Sequence, residues 1–75
     1  MQLEVGQIVR FAPGSTALAR VESVLPRVSP HAGQHGYGTH CLGGAVGFWS
    51  EDCTPATRED INEASASPFW TLGVL

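Results

Sequence analysis

The stretch from His35 to Thr57 restricts the possible fold more than any other part of this sequence. It contains the run HGYGTHCLGGAVGFW, which predicts two β-strands joined at Gly43-Gly44. Two adjacent glycines suit a tight two-residue hairpin turn, because both central positions of such a turn require positive φ. The hairpin carries most of the bulky apolar side chains of the chain, namely Tyr37, Leu42, Val46, Phe48 and Trp49. We therefore expect the other elements to pack around it.

Two further strands are predicted before the hairpin. A short strand around Ile8-Val9 ends at the turn signal Pro13-Gly14, and a second strand follows over residues 17–24. In the second strand Leu18 and Val24 fall on the polar side of the alternation, which indicates a β-bulge or burial of both faces. Residues 25–34 contain two prolines and predict a long loop.

The C-terminal part of the chain predicts a short helix and an apolar tail. Thr57 is a typical N-cap residue, and acidic residues follow it, as is favourable at the positive end of a helix. We predict one mainly β domain over residues 1–66, with the helix near 57–65. Residues 67–75 form an unusually apolar tail, which would pack on its own chain or on a neighbouring subunit.

The low proportion of charged residues indicates a protein that associates. Charged residues make up 15% of the 75 residues, against about 25% in a typical soluble domain. A domain of this size buries only a marginal core, so small domains commonly gain stability from disulfides, metals or oligomerisation. We therefore expect a homo-oligomer or binding to another protein.

The charge balance argues against nucleic acid as a partner. The chain has four arginines, no lysine and seven acidic residues, for a formal net charge of −3. Proteins that bind nucleic acid carry a basic stripe, because neutralising phosphates supplies much of their affinity. No apolar stretch is long enough to span a bilayer, and no signal-peptide pattern follows Met1. We predict no nucleic-acid or membrane partner and a cytoplasmic location, where both cysteines would stay reduced.

Three histidines and two cysteines are the candidate metal ligands of the chain. Zinc sites often use such ligands in paired short spacings, and His31 and His35 are spaced as H-x₃-H. Neighbouring strand residues point to opposite faces, so His40 and Cys41 do not readily share one metal. We keep a metal site of His31, His35, Cys41 and Cys53 as an alternative. The interpretation we favour is a pair of loop histidines and two buried thiols, with no cofactor.

No arrangement of residues predicts catalysis. Cys41 beside His40 or His35 offers a thiol and a base, but a catalytic thiol also needs an orienting third group and an oxyanion site. The glycines are not followed by Lys-Ser/Thr, so no phosphate-binding loop is predicted. We name no catalytic residue and favour a non-enzymatic protein.

Adjacent aromatic residues occur at Phe48-Trp49 and at Phe69-Trp70. Neighbours in an extended strand face opposite ways, so at least one large aromatic side chain is expected on the outside. An exposed tryptophan is a common anchor at protein interfaces. The residues predicted to bind a partner or ligand are Trp49, Phe48, Val46, Tyr37, Phe69 and Trp70, together with the 25–34 loop.

Four segments carry a resemblance to a known architecture: the opening Gly6-Gln7-Ile8-Val9-Arg10, the Pro13-Gly14 turn, the strand ending at Val24 and the GGAVGFW hairpin. Their order resembles that of small uncharacterised SH3-like β-barrel proteins of bacteria and phages. The likeness covers roughly residues 5–57. It implies a small SH3-like barrel of about five strands, followed by the short helix and the apolar tail.

The residues Val46-Gly47-Phe48-Trp49 extend this resemblance. They fall where plasmid-borne type II dihydrofolate reductases, which are tetramers of SH3-like barrels around a central pore, carry the pore-lining Val-Gln-Ile-Tyr. This chain has Gly47 and Trp49 in place of the Gln and Tyr, and it has no lysine to match the pore lysine. The resemblance implies architecture, and a shared fold does not by itself confer a function.

The sequence leaves three functional hypotheses. The first is a non-enzymatic SH3-like module that binds a protein partner, itself or both, in keeping with a small accessory protein of a mobile element. The second is an oligomeric protein that binds a small molecule in a pore or interface site lined by Val46, Phe48 and Trp49, as the resemblance to type II dihydrofolate reductase implies. The third is the metal-stabilised module.

Overall fold

The computed structural model describes residues 2–25 and 33–73, and it confirms a mainly β fold with one short C-terminal helix. The elements are β1 (Ile8–Arg10), β2 (Leu18–Leu25), β3 (His35–His40), β4 (Ala45–Trp49), a 3-10 turn (Ser50–Asp52), β5 (Thr54–Pro55) and the helix α1 (Arg58–Ser65). The five strands form one antiparallel sheet in the order β4-β3-β2-β1-β5. The sheet is open across the described ranges, so closure into a barrel is not seen there. Most of the predicted 25–34 loop lies outside the described residues.

The β3–β4 hairpin has the predicted glycine conformations but a longer connection than predicted. Gly43 and Gly44 have φ of +99° and +90°, in the region that favours glycine. The connection nevertheless spans residues 41–44, so the prediction of a two-residue turn is wrong. The physical reason is Cys41, which turns inward so that its N–H donates to the carbonyl of Leu18 at 2.9 Å.

Strand β2 contains the predicted irregularity. Its register with β3 shifts between Val21 and Ser23, which leaves Glu22 as the extra residue of a β-bulge. Leu18 is buried in one core cluster, whereas Val24 packs against another. The bulge and the burial of both faces are thus confirmed together.

Apolar side chains are buried on both faces of the sheet. The first core cluster consists of Leu3, Val9, Ala19, Val21, Phe48 and Cys53. The second core cluster consists of Ile8, Leu18, Cys41 and Leu72, with Ile61, Ala64 and Trp70 packed against it. Because neighbours such as Ile8 and Val9 point to opposite sides of a strand, the two clusters lie on opposite faces. The helix and the tail cover the second face near β1 and β2.

Helix α1 starts with a capping box formed by Thr57 and Asp60. The Asp60 N–H donates to Thr57 Oγ1 at 3.0 Å, and the Thr57 N–H donates to Asp60 Oδ2 at 3.0 Å. Arg10 of β1 donates to Asp60 Oδ1 at 2.7 Å. The Thr57 backbone hydrogen bond is the main cause that lowers the pKa of Asp60, and the Arg10 charge adds to it. The cap therefore also attaches the helix to the sheet.

The described part of the apolar tail packs on its own chain. Leu72 is only 1% exposed and belongs to the second core cluster. The Arg20 guanidinium donates to the Leu72 carbonyl oxygen, and the Thr71 N–H donates to the Cys41 carbonyl at 2.9 Å. Over residues 2–25 and 33–73, no helix is long and apolar enough to cross a membrane.

Candidate interaction surface

Three rings lie side by side on the open part of the sheet. His35 lies between Tyr37 and Trp49, and its ring centroid is 4.6 Å from each of theirs. The ring planes of His35 and Tyr37 are perpendicular, at 90°, which is the favourable edge-to-face arrangement. We call these three residues the ring cluster.

The strand register explains why these rings meet. His35 of β3 is directly opposite both Leu25 of β2 and Trp49 of β4, so the three side chains form one row across the sheet. Tyr37 lies in the next row on the same face, because alternate residues of a strand share a face. Directly opposite side chains have Cβ atoms about 5 Å apart. The contact is therefore a consequence of backbone pairing.

The ring cluster is accessible to a partner. Tyr37 is 46% exposed, Trp49 is 39% exposed, and Leu25 beside them is also exposed. Apolar side chains that are exposed singly need no explanation, but contiguous ones mark interaction sites. Tyr37 and Trp49 are thus two exposed aromatic side chains that both contact His35.

Among the residues that the structure describes, the charged side chains near the ring cluster are mostly acidic. Glu51 and Asp52 follow Trp49 after one intervening residue, Ser50, and are exposed. Glu22, at the bulge, is exposed and accepts a hydrogen bond from Thr39 Oγ1 at 3.3 Å. Arg20 Nη1 lies 4.0 Å from Glu22 Oε1. The edge of the surface would favour a basic partner segment over an acidic one.

The other predicted contact residues of the hairpin point into the protein. Phe48 is buried in the first core cluster, and Val46 is half-buried against it. Phe48 also contacts the Phe11 ring, with centroids 5.9 Å apart. Of the adjacent pair Phe48-Trp49, Phe48 therefore enters the core and Trp49 faces outward.

The aromatic pair of the tail is separated from the ring cluster. Phe69 is 70% exposed, whereas Trp70 packs half-buried against the second core cluster. The Trp70 Nε1–H donates to the Gly73 carbonyl at 2.7 Å. Trp70 thus holds the tail in place, and Phe69 stands alone as an exposed side chain.

The structure does not assemble the alternative metal site from the residues it describes. Cys41 and Cys53 are free thiols in different core clusters, and His35 belongs to the ring cluster. His31 lies outside the described residues. Among the described residues no group of three histidine, cysteine, aspartate or glutamate side chains is placed to hold a metal ion. Burial is the main cause that raises the pKa of Cys53, which keeps its thiol protonated.

A cleft of about 410 Å³ lies between the sheet and α1. Arg10 Nη2 is paired with Asp60, and His40 Nδ1 accepts from the Leu42 N–H at 3.0 Å, whereas Arg10 Nε is buried without a hydrogen-bond partner among the described residues. Cys41 lines the cleft and its Sγ lies 3.9 Å from His40 Nδ1. Within residues 2–25 and 33–73, no third group is hydrogen-bonded to His40 in the way that would orient it for a cysteine nucleophile.

His35 was not predicted as a contact residue from the sequence, and Leu25 was included only as the first residue of the 25–34 loop, whereas the structure places it at the end of β2. The signal for His35 was the alternation His35-x-Tyr37, which places both residues on one face if β3 is continuous. The face of the sheet on which Leu25 lies depends on the position of the bulge in β2, and no local sequence pattern fixes that position.

Comparison with protein-family models, with curated proteins and with solved structures finds no match to this chain. The resemblance to SH3-like barrels and to type II dihydrofolate reductases therefore stays a prediction. Any functional argument has to come from the geometry of the described residues.

Proposed function

We propose that this chain is a non-enzymatic protein-binding module and that the ring cluster, with Leu25, is its contact surface. The observation that carries the proposal is the packing of His35 between Tyr37 and Trp49, with ring centroids 4.6 Å apart, on an open sheet face. Rings fixed in this way lose little conformational entropy on binding, which favours affinity. Tryptophan and tyrosine are also the residue types most enriched among binding hot spots.

The partner that fits this surface is a protein segment with apolar and basic side chains. Apolar groups would cover the rings, and a guanidinium or ammonium group would be attracted by the ring faces and by the acidic residues at the edge. Glu51 and Asp52 in the 3-10 turn after β4, and Glu22 at the bulge, supply that acidic edge.

A pore or interface site for a small molecule is the alternative proposal. It would be lined by Val46, Phe48 and Trp49 together. Val46 and Phe48 pack on the first core cluster, whereas Trp49 faces the opposite way. The geometry therefore favours protein binding.

A selection from a library of random displayed peptides tests the proposal directly. Peptides selected on the wild-type protein should shift the amide resonances of β3 and β4 in a nuclear magnetic resonance titration. Trp49→Ala should weaken their binding at least about 30-fold, as truncation of a hot-spot residue does. Phe69→Ala is the matched control, because Phe69 is exposed but lies apart from the ring cluster, and it should bind normally.

Two results would contradict the proposal. One is the failure of the selection to yield any peptide that binds in solution. The other is a set of peptides whose affinity is unchanged by Trp49→Ala or is reduced equally by Phe69→Ala.

A further inference from the structure

The two edges of the sheet differ in how well they are protected. Edge strands are liable to pair with other strands, and proteins blunt them by shortening them or by placing proline or charged residues on them. Strand β5 has only two residues, and one of them is Pro55. Strand β4 has five residues, AVGFW, with neither proline nor charge. The β4 edge is therefore the one suited to pairing.

The hydrogen bonds at the two ends of β4 identify the groups that this edge presents. The His40 N–H donates to Gly44 O at 2.8 Å, and the Ser50 N–H donates to Gln34 O at 2.8 Å. Hydrogen-bonded and non-hydrogen-bonded pairs alternate along an antiparallel ladder. Residues 46 and 48 therefore bond to β3. The N–H and C=O groups of residues 45, 47 and 49 point away from β3, toward the edge. The Trp49 carbonyl oxygen also accepts from Cys53 Sγ at 3.3 Å, and its second lone pair can accept from a partner strand.

We propose that two copies of this chain form a dimer by antiparallel pairing of their β4 strands, with the two-fold axis at Gly47. Ala45 then lies opposite the partner's Trp49, and each outward N–H meets an outward C=O. The inference rests on the proposed function, and it names a second copy as one partner.

The side chains fit this register. Ala45, Gly47 and Trp49 share the exposed face, because they alternate along the strand. Each Trp49 indole lies over the partner's Ala45, whose methyl group leaves room for the ring. The two ring clusters then form one continuous aromatic strip across the joined sheet.

Charge is compatible with this register. It leaves Glu51 and Asp52, which lie in the 3-10 turn, beyond the paired strands, at the end where the partner has its uncharged connection of residues 41–44, so no acidic side chain meets another. Moving the axis two residues toward the C-terminus would bring both acidic residues into the paired strands. Moving it two residues the other way would leave Trp49 opposite the connecting loop. The register centred on Gly47 keeps the acidic residues out of the paired strands and keeps Trp49 opposite a strand residue.

The size of the contact predicts a weak dimer. Five strand residues span about 17 Å, and one strand pair buries less than the roughly 800 Å² per partner of a standard interface. We therefore expect dissociation constants in the micromolar range or weaker, and a population of dimer that depends on protein concentration.

Engineered cysteines test the register. In Gly47→Cys the two new residues lie opposite each other with Cα atoms about 5.5 Å apart, within disulfide range. In Ala45→Cys they are offset by four residues, about 14 Å, which is too far. The native Cys41 and Cys53 are buried and do not compete. Under mild oxidation Gly47→Cys should form covalent dimers, and Ala45→Cys should do so at least about tenfold more slowly. Equal rates would overturn the proposal.

Analytical ultracentrifugation tests the dimer without relying on a cysteine variant. The wild-type sedimentation coefficient should rise with concentration. Ala45→Pro should remain monomeric, because it removes an outward N–H that β3 does not use, while Ala45→Ser should behave as the wild type. A wild-type monomer at millimolar concentration would overturn the dimer. If that monomer still bound selected peptides through Trp49, the proposed function would stand without the dimer.

Discussion

Gly47 lies directly opposite Tyr37 in the β3–β4 ladder, and its missing side chain provides the space that the Tyr37 ring occupies. A Cβ atom on Gly47 would come within 3.3 Å of Tyr37 Cε1 and 3.6 Å of His35 Nε2. Exposed rings can shift by the few tenths of an ångström that this requires. The glycine therefore shapes the ring cluster without being needed for the fold.

A different glycine of the same hairpin should be indispensable. A Cβ atom on Gly38 would overlap the carbonyl oxygen of Arg20 in the neighbouring strand, and two backbones cannot separate without breaking the ladder. Gly38→Ala should lower the free energy of unfolding by more than about 3 kcal/mol, and Gly47→Ala by about 1 kcal/mol or less. Urea denaturation followed by circular dichroism measures both. Similar losses of unfolding free energy in Gly38→Ala and Gly47→Ala would contradict the prediction that Gly38 alone is indispensable.

The adjacent residues Phe48 and Trp49 should have opposite roles. Phe48 is 4% exposed, so Phe48→Ala creates a core cavity and should cost about 3–5 kcal/mol of unfolding free energy. Trp49→Ala removes a surface ring and should cost about 1 kcal/mol of unfolding free energy while weakening peptide binding at least about 30-fold. Denaturant titrations of the two variants give the comparison. A larger loss for Trp49→Ala would mean that the indole belongs to the core.

The N-cap of α1 should make a measurable contribution to stability. Thr57→Ala removes the hydroxyl that accepts from the Asp60 N–H, and loss of such a cap costs about 0.5–2 kcal/mol. Urea unfolding of Thr57→Ala measures the loss, with Thr16→Ala, at an exposed threonine outside any helix, as the control. An unchanged midpoint for Thr57→Ala would mean that the helix is held by its packing alone.

Asp60 should make stability depend on pH in the acid range. Its pKa in the folded protein is lowered, chiefly by the Thr57 backbone hydrogen bond. The carboxylate therefore stabilises the fold fully above the unfolded pKa, near 4, and this stabilisation is lost as the pH falls through the lower folded pKa. Thermal melts from pH 7 to pH 2 should show a shallower acid decline for Asp60→Asn than for the wild type. Melting temperatures that fall in parallel with pH in Asp60→Asn and in the wild type would exclude this role of Asp60.

Both native thiols should be unreactive while the protein is folded. Cys41 and Cys53 are buried, and burial raises the pKa of Cys53, so little reactive thiolate forms at neutral pH. Alkylation at pH 7.5, read by mass spectrometry, should be slow in buffer and complete in denaturant. Rapid labelling in buffer would show that the thiols are accessible.

Local patterns were sufficient for much of the fold. Thr57 marked the start of the helix because a cap is made by residues close in sequence. The glycine φ values at residues 43 and 44 and the irregularity of β2 were also predicted correctly. The length of the hairpin connection was not, because it depends on Cys41 reaching Leu18, a contact between distant parts of the chain.

The candidate site was less predictable for the same reason. The sequence indicated that Phe48 and Trp49 face opposite ways, but the position of the bulge in β2 and the pairing of three strands decide which of them faces outward. Only that pairing brings His35 between Tyr37 and Trp49. Strand alternation predicts that neighbouring side chains face opposite ways, and only the pairing register decides which of them faces the core.

The position of Leu72 has a consequence for how the protein is made. The first core cluster draws only on residues 3–53, whereas the second needs Leu72, which reaches back 52 residues to Arg20. A ribosome adds about 5–20 residues per second, so the roughly 20 residues after Cys53 take on the order of 1–4 s. A sheet that formed in that interval would leave Ile8 and Leu18 without the cover of Leu72. The second face of the sheet is thus the part of the fold that is completed last in the order of synthesis.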